Sequence, residues 1–386
     1  MPEERFLQAC LSYLLDGNSP RPTAPGEMDW EKLYSLVVRH KLSGLAYLLG
    51  REGPQPWPDF LQQRFQRDYY SARLWGDQCR HEVSRALAAL RDAGVRLLVL
   101  KGWALIPAVY KGDTGCRVFA DIDLLVSPAQ AGTAERVLEG LGYRALPEVW
   151  PGFGRRYENG RSFQLPGEPG PFGTVLAIGL HWHLLILPFY FRRVPVAGLF
   201  EQARPLEVAG EPVEALAPED NLVYTCGHLG LHHLYDPALF RAYEMAAAIR
   251  QAGASLDWKL VLERVTGWEL VLPVQRTLGW LSRLFPGLVP DPVLEQVQSL
   301  APSRAERRVH TWMLRGRDNH AIRWMIAWFT LEWWKRPGFV LETAVPSPAY
   351  MKQRYCPQRP ALWPLAYLWR AGIGLAYALG YLRVAA

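Results

Sequence analysis

The stretch that decides the fold is VRLLVLKGWALIPAVYKGDTGCRVFADIDLLV, residues 95–126. Five of its first six residues are apolar with branched side chains, and Arg96 is the exception, which predicts a short buried strand. The run ends at Lys101 and Gly102, where a segment typical of a helix begins. A second strand is predicted at residues 121–126, DIDLLV. We therefore expect a strand, a tight turn, a helix, a loop and a strand.

The turn between the first strand and the helix is predicted to bind an anion. Gly102 lets the backbone turn sharply and lets a ligand approach closely. A strand that enters a helix through such a turn leaves free backbone N–H groups, which attract phosphate. Lys101 adds a positive charge beside them.

Two carboxylates at the start of the second strand predict a metal site. Asp121 and Asp123 point to the same face because side chains alternate along a strand, whereas Ile122 points into the core. Neighbouring carboxylates repel each other unless a cation joins them, and Mg2+ shares such oxygen clusters with phosphate. The alternative is a solvated strand end or an N-cap pair. We favour the metal site because the pair follows an anion-binding turn.

Four features together resemble the uncharacterised nucleotidyltransferase family of the DNA polymerase beta-like nucleotidyltransferase superfamily. They are LLVLKGWAL, Arg117, ADIDLLV and the later GLHWHL. The resemblance covers most of the chain. It implies an α/β nucleotidyltransferase core, a small mixed sheet with helices, flanked by N- and C-terminal helical regions.

The resemblance also implies the site residues. Asp121 and Asp123 would bind Mg2+ or Mn2+ together with a nucleoside triphosphate, with ATP favoured. The Lys101-Gly102 turn would replace the usual Gly-Ser or Gly-Gly turn and receive the phosphates, and Arg117 would contact phosphate or acceptor.

The sequence departs from the family at the expected third carboxylate. In the family an acidic residue often stands two positions before the first histidine of GLHWHL, but here that position is Gly179. Two replacements remain open. Glu158 or Glu168 could reach the site from the preceding hairpin, or His181 could serve as metal ligand or catalytic base.

Other histidines suggest a weaker hypothesis. His181 and His183 share a predicted strand face, although we interpret His183 as a hydrogen-bonded core residue. His228 and His232 share a helix face at the i, i+4 spacing, but the glutamate of an H-E-x-x-H protease site is missing. A histidine-based metal hydrolase would need these four residues to converge. Glu244 is expected to order the helix that carries His228.

Apolar periodicity divides the chain into three predicted regions. Residues 1–92 contain helical patterns at 6–15, 29–49 and 60–93. Residues 93–205 form the nucleotidyltransferase-like α/β core, since strands alternate with helices there. Residues 206–386 form a C-terminal helical region, with helices expected from residue 206 onward. This division agrees with the two to three domains expected for 386 residues.

Composition limits the partners and the compartment. A net charge of +6 suits phosphate-bearing partners but is too small to indicate specific nucleic-acid binding. Five separated cysteines without a C-x-x-C motif predict a reducing cytoplasm. The N-terminus lacks the apolar core of a signal peptide. The apolar segment 362–382 predicts either a packed helix or peripheral membrane contact.

These observations favour a Mg2+-dependent nucleotidyltransferase. It would move a nucleoside monophosphate from a triphosphate to a hydroxyl or similar acceptor on a small molecule, a peptide or a protein. Asp121, Asp123 and His181 would be the catalytic residues. The alternative is a catalytically impaired nucleotide-binding or protein-interaction module on the same fold, which Gly179 supports.

Overall fold

The computed structural model describes residues 1–17, 20–52, 56–119, 121–167, 170, 173–315 and 320–378. Seven strands occur within these residues: β1 (Leu97–Leu100), β2 (Asp121–Val126), β3 (Arg144–Ala145), β4 (Gly160–Gln164), β5 (Ala177–His181), β6 (Arg204–Val208) and β7 (Glu211–Ala215). They form one mixed sheet in the order β3-β4-β5-β2-β1-β7-β6.

The described residues also form eighteen α-helices. Four precede the sheet: α1 (Pro2–Asp16), α2 (Trp30–Arg39), α3 (Ser43–Arg51) and α4 (Asp59–Asp92). Four lie between strands: α5 (Lys101–Val109), α6 (Ala131–Gly140), α7 (Phe153–Tyr157) and α8 (Val196–Glu201). Ten follow the sheet: α9 (Pro218–Leu231), α10 (Leu239–Ala252), α11 (Trp258–Gly267), α12 (Val271–Leu284), α13 (Asp291–Ser299), α14 (Arg304–Arg315), α15 (His320–Thr330), α16 (Arg336–Ala344), α17 (Pro348–Tyr355) and α18 (Trp363–Ala378).

The central strands are buried on both faces, as their apolar sequences predict. Leu98 of β1 and Leu125 of β2 belong to a core shared with the N-terminal and C-terminal helices. Val99 and Leu124 belong to a second core, which α4 and α6 complete on the opposite face. The predicted α/β core with a mixed sheet and flanking helices is therefore confirmed.

The predicted helix at residues 29–49 is two helices. Helix α2 ends at Arg39 and α3 begins at Ser43. Lys41, between them, has a left-handed backbone with φ of 55°, which no α-helix can continue through. The long helix predicted at residues 60–93 is confirmed as α4.

The expectation that residues from 206 onward are helical is wrong for the first ten. Strands β6 and β7 form an antiparallel hairpin, and β7 pairs in parallel with β1 through Leu98 and Val99. The predicted boundary at 205 falls inside β6, so the sheet needs residues that follow it. Because β7 leads directly into α9, the pairing also carries α9 to the end of β1 where the helix α5 begins.

The apolar segment predicted at 362–382 is helical over residues 363–378, and residues 379–382 lie outside the described part of the chain. Helix α18 packs against α17 and contacts α15. Among the described residues, no helix is both long enough and apolar enough to cross a bilayer.

Candidate active site

Three neighbouring strands bring most of the predicted site residues together. Strand β1 ends beside Asp123, and β2 runs parallel to β5, which ends at His181. The Lys101 ammonium lies 3.0 Å from Asp123 Oδ2, and His181 Nε2 lies 2.9 Å from Asp123 Oδ1. Asp121 lies on the same face of β2, two residues earlier. The alternation predicted from the sequence therefore holds, with Ile122 buried between the two carboxylates.

The sharp turn after β1 is made by Lys101 rather than Gly102. Lys101 has a φ of 47°, in the left-handed region that residues other than glycine rarely adopt. The conformation aims its side chain at Asp123 and at His228, whose Nε2 lies 3.2 Å from the ammonium. Such a strained residue is typical of a functional site, where surrounding contacts hold it.

Gly102 is required for a different reason, because the Arg117 guanidinium occupies the space of its missing side chain. Arg117 Nε lies 2.8 Å from a carboxylate oxygen of buried Glu244, and Tyr110 donates a hydrogen bond of 2.9 Å to the same oxygen. The guanidinium also lies 5.0 Å from the ring centre of Phe119. Glu244 therefore fixes Arg117 and the turn above it. The expectation that Glu244 orders the histidine helix is not borne out by these contacts.

Gly179 lies directly beside Asp123 in the parallel pairing of β2 and β5. A Cβ atom at Gly179 would lie 2.5 Å from Asp123 Oδ1 and 3.0 Å from His181 Nε2. Because Gly179 has no side chain, its position leaves the space in which His181 reaches Asp123. A carboxylate at this position has no room while that contact exists.

His181 is held at both ring nitrogens. Asn159 Nδ2 lies 3.1 Å from Nδ1, which fits an amide that donates to Nδ1 while Nε2–H donates to Asp123. The neighbouring Glu158 does not reach the site, since the charges acting on its carboxyl are Glu148 and Arg161, and burial with Glu148 raises its pKa to about 6. The other candidate carboxylate, Glu168, lies outside the described residues.

The pKa values reflect an ion pair at Asp123 and an unpaired charge at Asp121. Burial would raise the pKa of Asp123, but Lys101 and His181 hold it well below its usual value. Burial would likewise lower the pKa of Lys101, but Tyr224 and Asp123 hold it above its usual range. Partial desolvation by the surrounding cavity and the charge of Asp123 raise the pKa of Asp121, although its side chain stays accessible to solvent, and Lys101 and Arg117 offset this only in part.

Three histidines at the end of α9 form a neutral cluster beside Lys101. The rings of His228 and His232 stack with centres 4.8 Å apart, which confirms their shared helix face. His233 Nε2 lies 3.1 Å from His228 Nε2, and Arg241 reaches His233 Nδ1 at 3.3 Å. Burial lowers the pKa of His228 well below its usual value, that of His232 to about 4 and that of His233 to about 3.

The histidine-based metal hydrolase is not supported, because the four histidines do not converge. Strand β5 ends at His181, so the alternation that would aim His183 at the site stops there. His183 instead stacks on Phe191 with ring centres 4.0 Å apart. Across the residues that the structure describes, no group of three or more His, Cys, Asp or Glu side chains is arranged to hold a metal.

The two carboxylates nevertheless suit Mg2+ that shares its ligands with phosphate. Asp121 is solvent-exposed, and within the described chain its side chain accepts no hydrogen bond and pairs with no cation. Mg2+ commonly takes only one or two protein carboxylates and completes its shell with water and phosphate oxygens. An unpaired carboxylate beside Asp123 therefore fits this ion, although the described residues supply no third protein ligand.

The carboxylates open into a cavity of about 720 Å³. Among the described residues, its acidic lining consists of Asp121, Asp123 and Glu244, and the last is buried against Arg117. Apolar residues of α5, β6, α9 and α10 form much of the remaining wall, among them Leu105, Leu206, Leu222 and Ile249. The cavity therefore joins a charged end to an apolar wall.

Sequence reasoning missed two residues of this site. Tyr224 lies beneath Lys101, with 5.8 Å from the ammonium to the ring centre. Its spacing of four residues from His228 on α9 could have identified it, since both share one helix face. Asn159 carries no comparable signal, because it precedes β4 in a turn and reaches His181 only through the pairing of β4 with β5.

Comparison with known proteins identifies the family. The model of the uncharacterised nucleotidyltransferase family matches residues 26–286, more than half of the chain. The protein belongs to this family. The matched range contains all seven described strands of the sheet and each predicted site residue. The family model therefore covers the whole nucleotidyltransferase core. No protein with a curated description matches the chain significantly.

Solved structures show a distant likeness. The crystal structure of ANT(2'')-Ia in complex with adenylyl-2''-tobramycin is 17% identical, with a TM-score of 0.35, and the alignment covers 49% of this chain and 97% of that protein. An antigenic nucleotidyltransferase-like protein from Paracoccidioides brasiliensis is 16% identical with a TM-score of 0.35, covering 60% of this chain and 97% of its own.

Proposed function

We propose that this protein is a Mg2+-dependent nucleotidyltransferase that uses a nucleoside triphosphate, with ATP favoured. An acceptor oxygen would form a bond to the α-phosphorus, the bond to the bridging oxygen would break, and pyrophosphate would leave. The observation that carries the proposal is the pair Asp121 and Asp123, side by side on β2 and next to the Lys101 turn. Membership of a nucleotidyltransferase family supports it.

Each residue of the site has a proposed task. Asp121 and Asp123 hold Mg2+, which would neutralise phosphate charge and orient the triphosphate. Lys101 and the first N–H groups of α5 bind the phosphates, because helix N-termini favour anions. Arg117 acts through the turn rather than on phosphate, since Glu244 already engages its guanidinium. His181 positions Asp123 through its 2.9 Å hydrogen bond.

The proposed acceptor is a neutral or anionic hydroxyl compound with an apolar body. A polycationic acceptor would need carboxylates to bind it. Outside the proposed metal site, Glu244 is the one carboxylate in the described cavity lining, and it is already paired with Arg117. Lys41, Arg204 and Arg241 line the same cavity and would repel a polycation. The apolar wall suits the body of the acceptor.

Calorimetry tests the metal–nucleotide site. ATP, GTP, CTP and UTP are titrated with and without Mg2+ into the wild type, Asp121→Asn and the control Asp92→Asn, which alters an exposed carboxylate at the end of α4. We expect at least one triphosphate to bind only with Mg2+. Asp121→Asn should weaken this binding at least about tenfold, which is about 1.4 kcal/mol, and Asp92→Asn should not change it. Equal binding without Mg2+, or by Asp121→Asn, contradicts the proposal.

The second candidate is a nucleotide-binding module without catalysis. Gly179 favours it, because the position of the family's third carboxylate is occupied by the Asp123–His181 contact. Release of pyrophosphate, with water as a slow acceptor, separates the two candidates. Mg2+-dependent binding without any pyrophosphate release would favour the module.

A further inference from the structure

Over residues 363–372, whose side chains are described, helix α18 exposes large apolar side chains and turns its charged one inward. Leu365, Leu368 and Trp369 are 60%, 72% and 66% exposed. Arg370 faces the protein, where its guanidinium donates hydrogen bonds of 2.9 Å to the Thr343 carbonyl and 2.8 Å to the Tyr355 hydroxyl. A surface helix of a globular protein normally shows the opposite arrangement.

The inner face of α18 is fixed by specific contacts. Ala366 is buried, and Tyr367 donates a hydrogen bond to the Pro346 carbonyl. The outward side chains occupy positions i, i+3 and i+4, so they form one contiguous patch. The orientation is therefore set by packing on α17, and the patch remains on the outside.

The segment that carries the patch, residues 343–386, has charges of one sign. The sequence contains no Asp or Glu after Glu342, whereas five Lys and Arg residues follow it. Lys352, Arg354 and Arg359 are exposed on α17 and on the segment that leads into α18. Cations beside an apolar, tryptophan-containing helix face are characteristic of helices that lie on anionic membranes.

We propose that α18 docks this protein on an anionic membrane surface, with the apolar patch inserted at the level of the headgroups and the cations on lipid phosphates. The 16 described residues of α18 are fewer than the about 20 that a spanning helix needs, so the proposal is docking on the surface of the bilayer. The inference is independent of the proposed nucleotidyl transfer, because it uses no residue of the site.

Vesicle sedimentation of the full chain tests the docking. The probes are vesicles of phosphatidylglycerol and phosphatidylcholine in equal parts, and vesicles of phosphatidylcholine alone. The variant Leu365→Ser/Leu368→Ser/Trp369→Ser removes the patch. The control Phe60→Ser/Tyr70→Ser/Leu74→Ser changes three exposed apolar residues of α4.

We expect the wild type and the control to sediment with the anionic vesicles and to be released by salt, as lipid-phosphate contacts require. The patch variant should bind at least about tenfold more weakly, and Arg354→Glu/Arg359→Glu should reduce binding to anionic vesicles only. Circular dichroism verifies that each variant is folded. Equal sedimentation of the patch variant overturns the proposal. So does a wild type that ignores vesicles and self-associates through this face in analytical ultracentrifugation.

Discussion

At the scale of single residues, the site depends on two glycines that are used as space. Gly102 makes room for the Arg117 guanidinium, and Gly179 makes room for the contact of His181 with Asp123. Each allows a charged or polar side chain to reach its partner across a neighbouring backbone position. The sequence shows the glycines but not which distant side chain fills the space beside them.

A substitution at Gly179 tests this account. In Gly179→Ala, the new Cβ would lie 2.5 Å from Asp123 Oδ1, so the Asp123 carboxylate must leave His181 or Lys101. We expect a loss of about 1–3 kcal/mol in the free energy of unfolding, typical of overpacking. Denaturant unfolding measures it.

Two controls accompany this variant. Gly140→Ala, in α6, meets no atom within 4 Å and should be neutral or slightly stabilising. In an Asp123→Ala background the cost of Gly179→Ala should largely disappear, because the clashing carboxylate is gone. An unchanged midpoint for Gly179→Ala alone would show that the packing at Asp123 is looser than described.

At the scale of elements, the end of α9 predicts a pH dependence. The pKa of His233 is lowered to about 3 by burial and by Arg241. The unfolded chain therefore binds a proton below about pH 6.5 that the folded chain does not, so stability is highest above pH 6.5 and falls as the pH decreases. For a fully buried histidine the free energy of unfolding falls by about 1.4 kcal/mol per pH unit. For a half-buried one it falls by less.

The comparison of His233→Gln with the wild type isolates this contribution. Between pH 6.5 and 4.5, the stability advantage of the wild type should shrink by about 1 kcal/mol per pH unit. The control His81→Gln alters an exposed histidine of α4 and should follow the wild type at every pH. Parallel curves for the wild type and His233→Gln would refute the assigned pKa shift.

How far the sequence predicts each element depends on where its partners lie. The strand containing Leu98 and the pair Asp121–Asp123 were predictable, because local alternation and burial determine them. The strand face that His183 was predicted to share with His181 was wrong because β5 ends two residues before His183, and no local pattern marks that end. The Glu244–Arg117 pair spans 127 positions along the chain, so only the folded arrangement of α10 reveals it.

At the scale of the whole molecule, the sheet links regions that the sequence analysis separated. Strand β7 pairs with β1, and α9 contributes Tyr224 and His228 beside Lys101. Helix α4 covers the opposite face of the sheet. The predicted core of residues 93–205 thus lacks β7, most of β6, and the helices α4 and α9 that cover the two faces of the sheet.

We predict that an isolated chain of residues 93–205 does not fold cooperatively. It leaves β1 as an exposed sheet edge and exposes the apolar faces that α4 and α9 cover, and such edges favour aggregation. Urea unfolding followed by circular dichroism measures this, with the full chain as reference. A sigmoidal transition in the fragment would show that the three predicted regions are autonomous domains.

The position of β1 in the sheet also has a consequence for synthesis on the ribosome. The five strands from β3 to β1 in the sheet order are complete once β5 has emerged, but the partner of β1 on its other side, β7, ends 34 residues later. At roughly 5–20 residues per second, the nascent sheet keeps an open apolar edge for about 2–7 s. The rate of translation between β5 and β7 therefore sets how long each new molecule is open to mispairing.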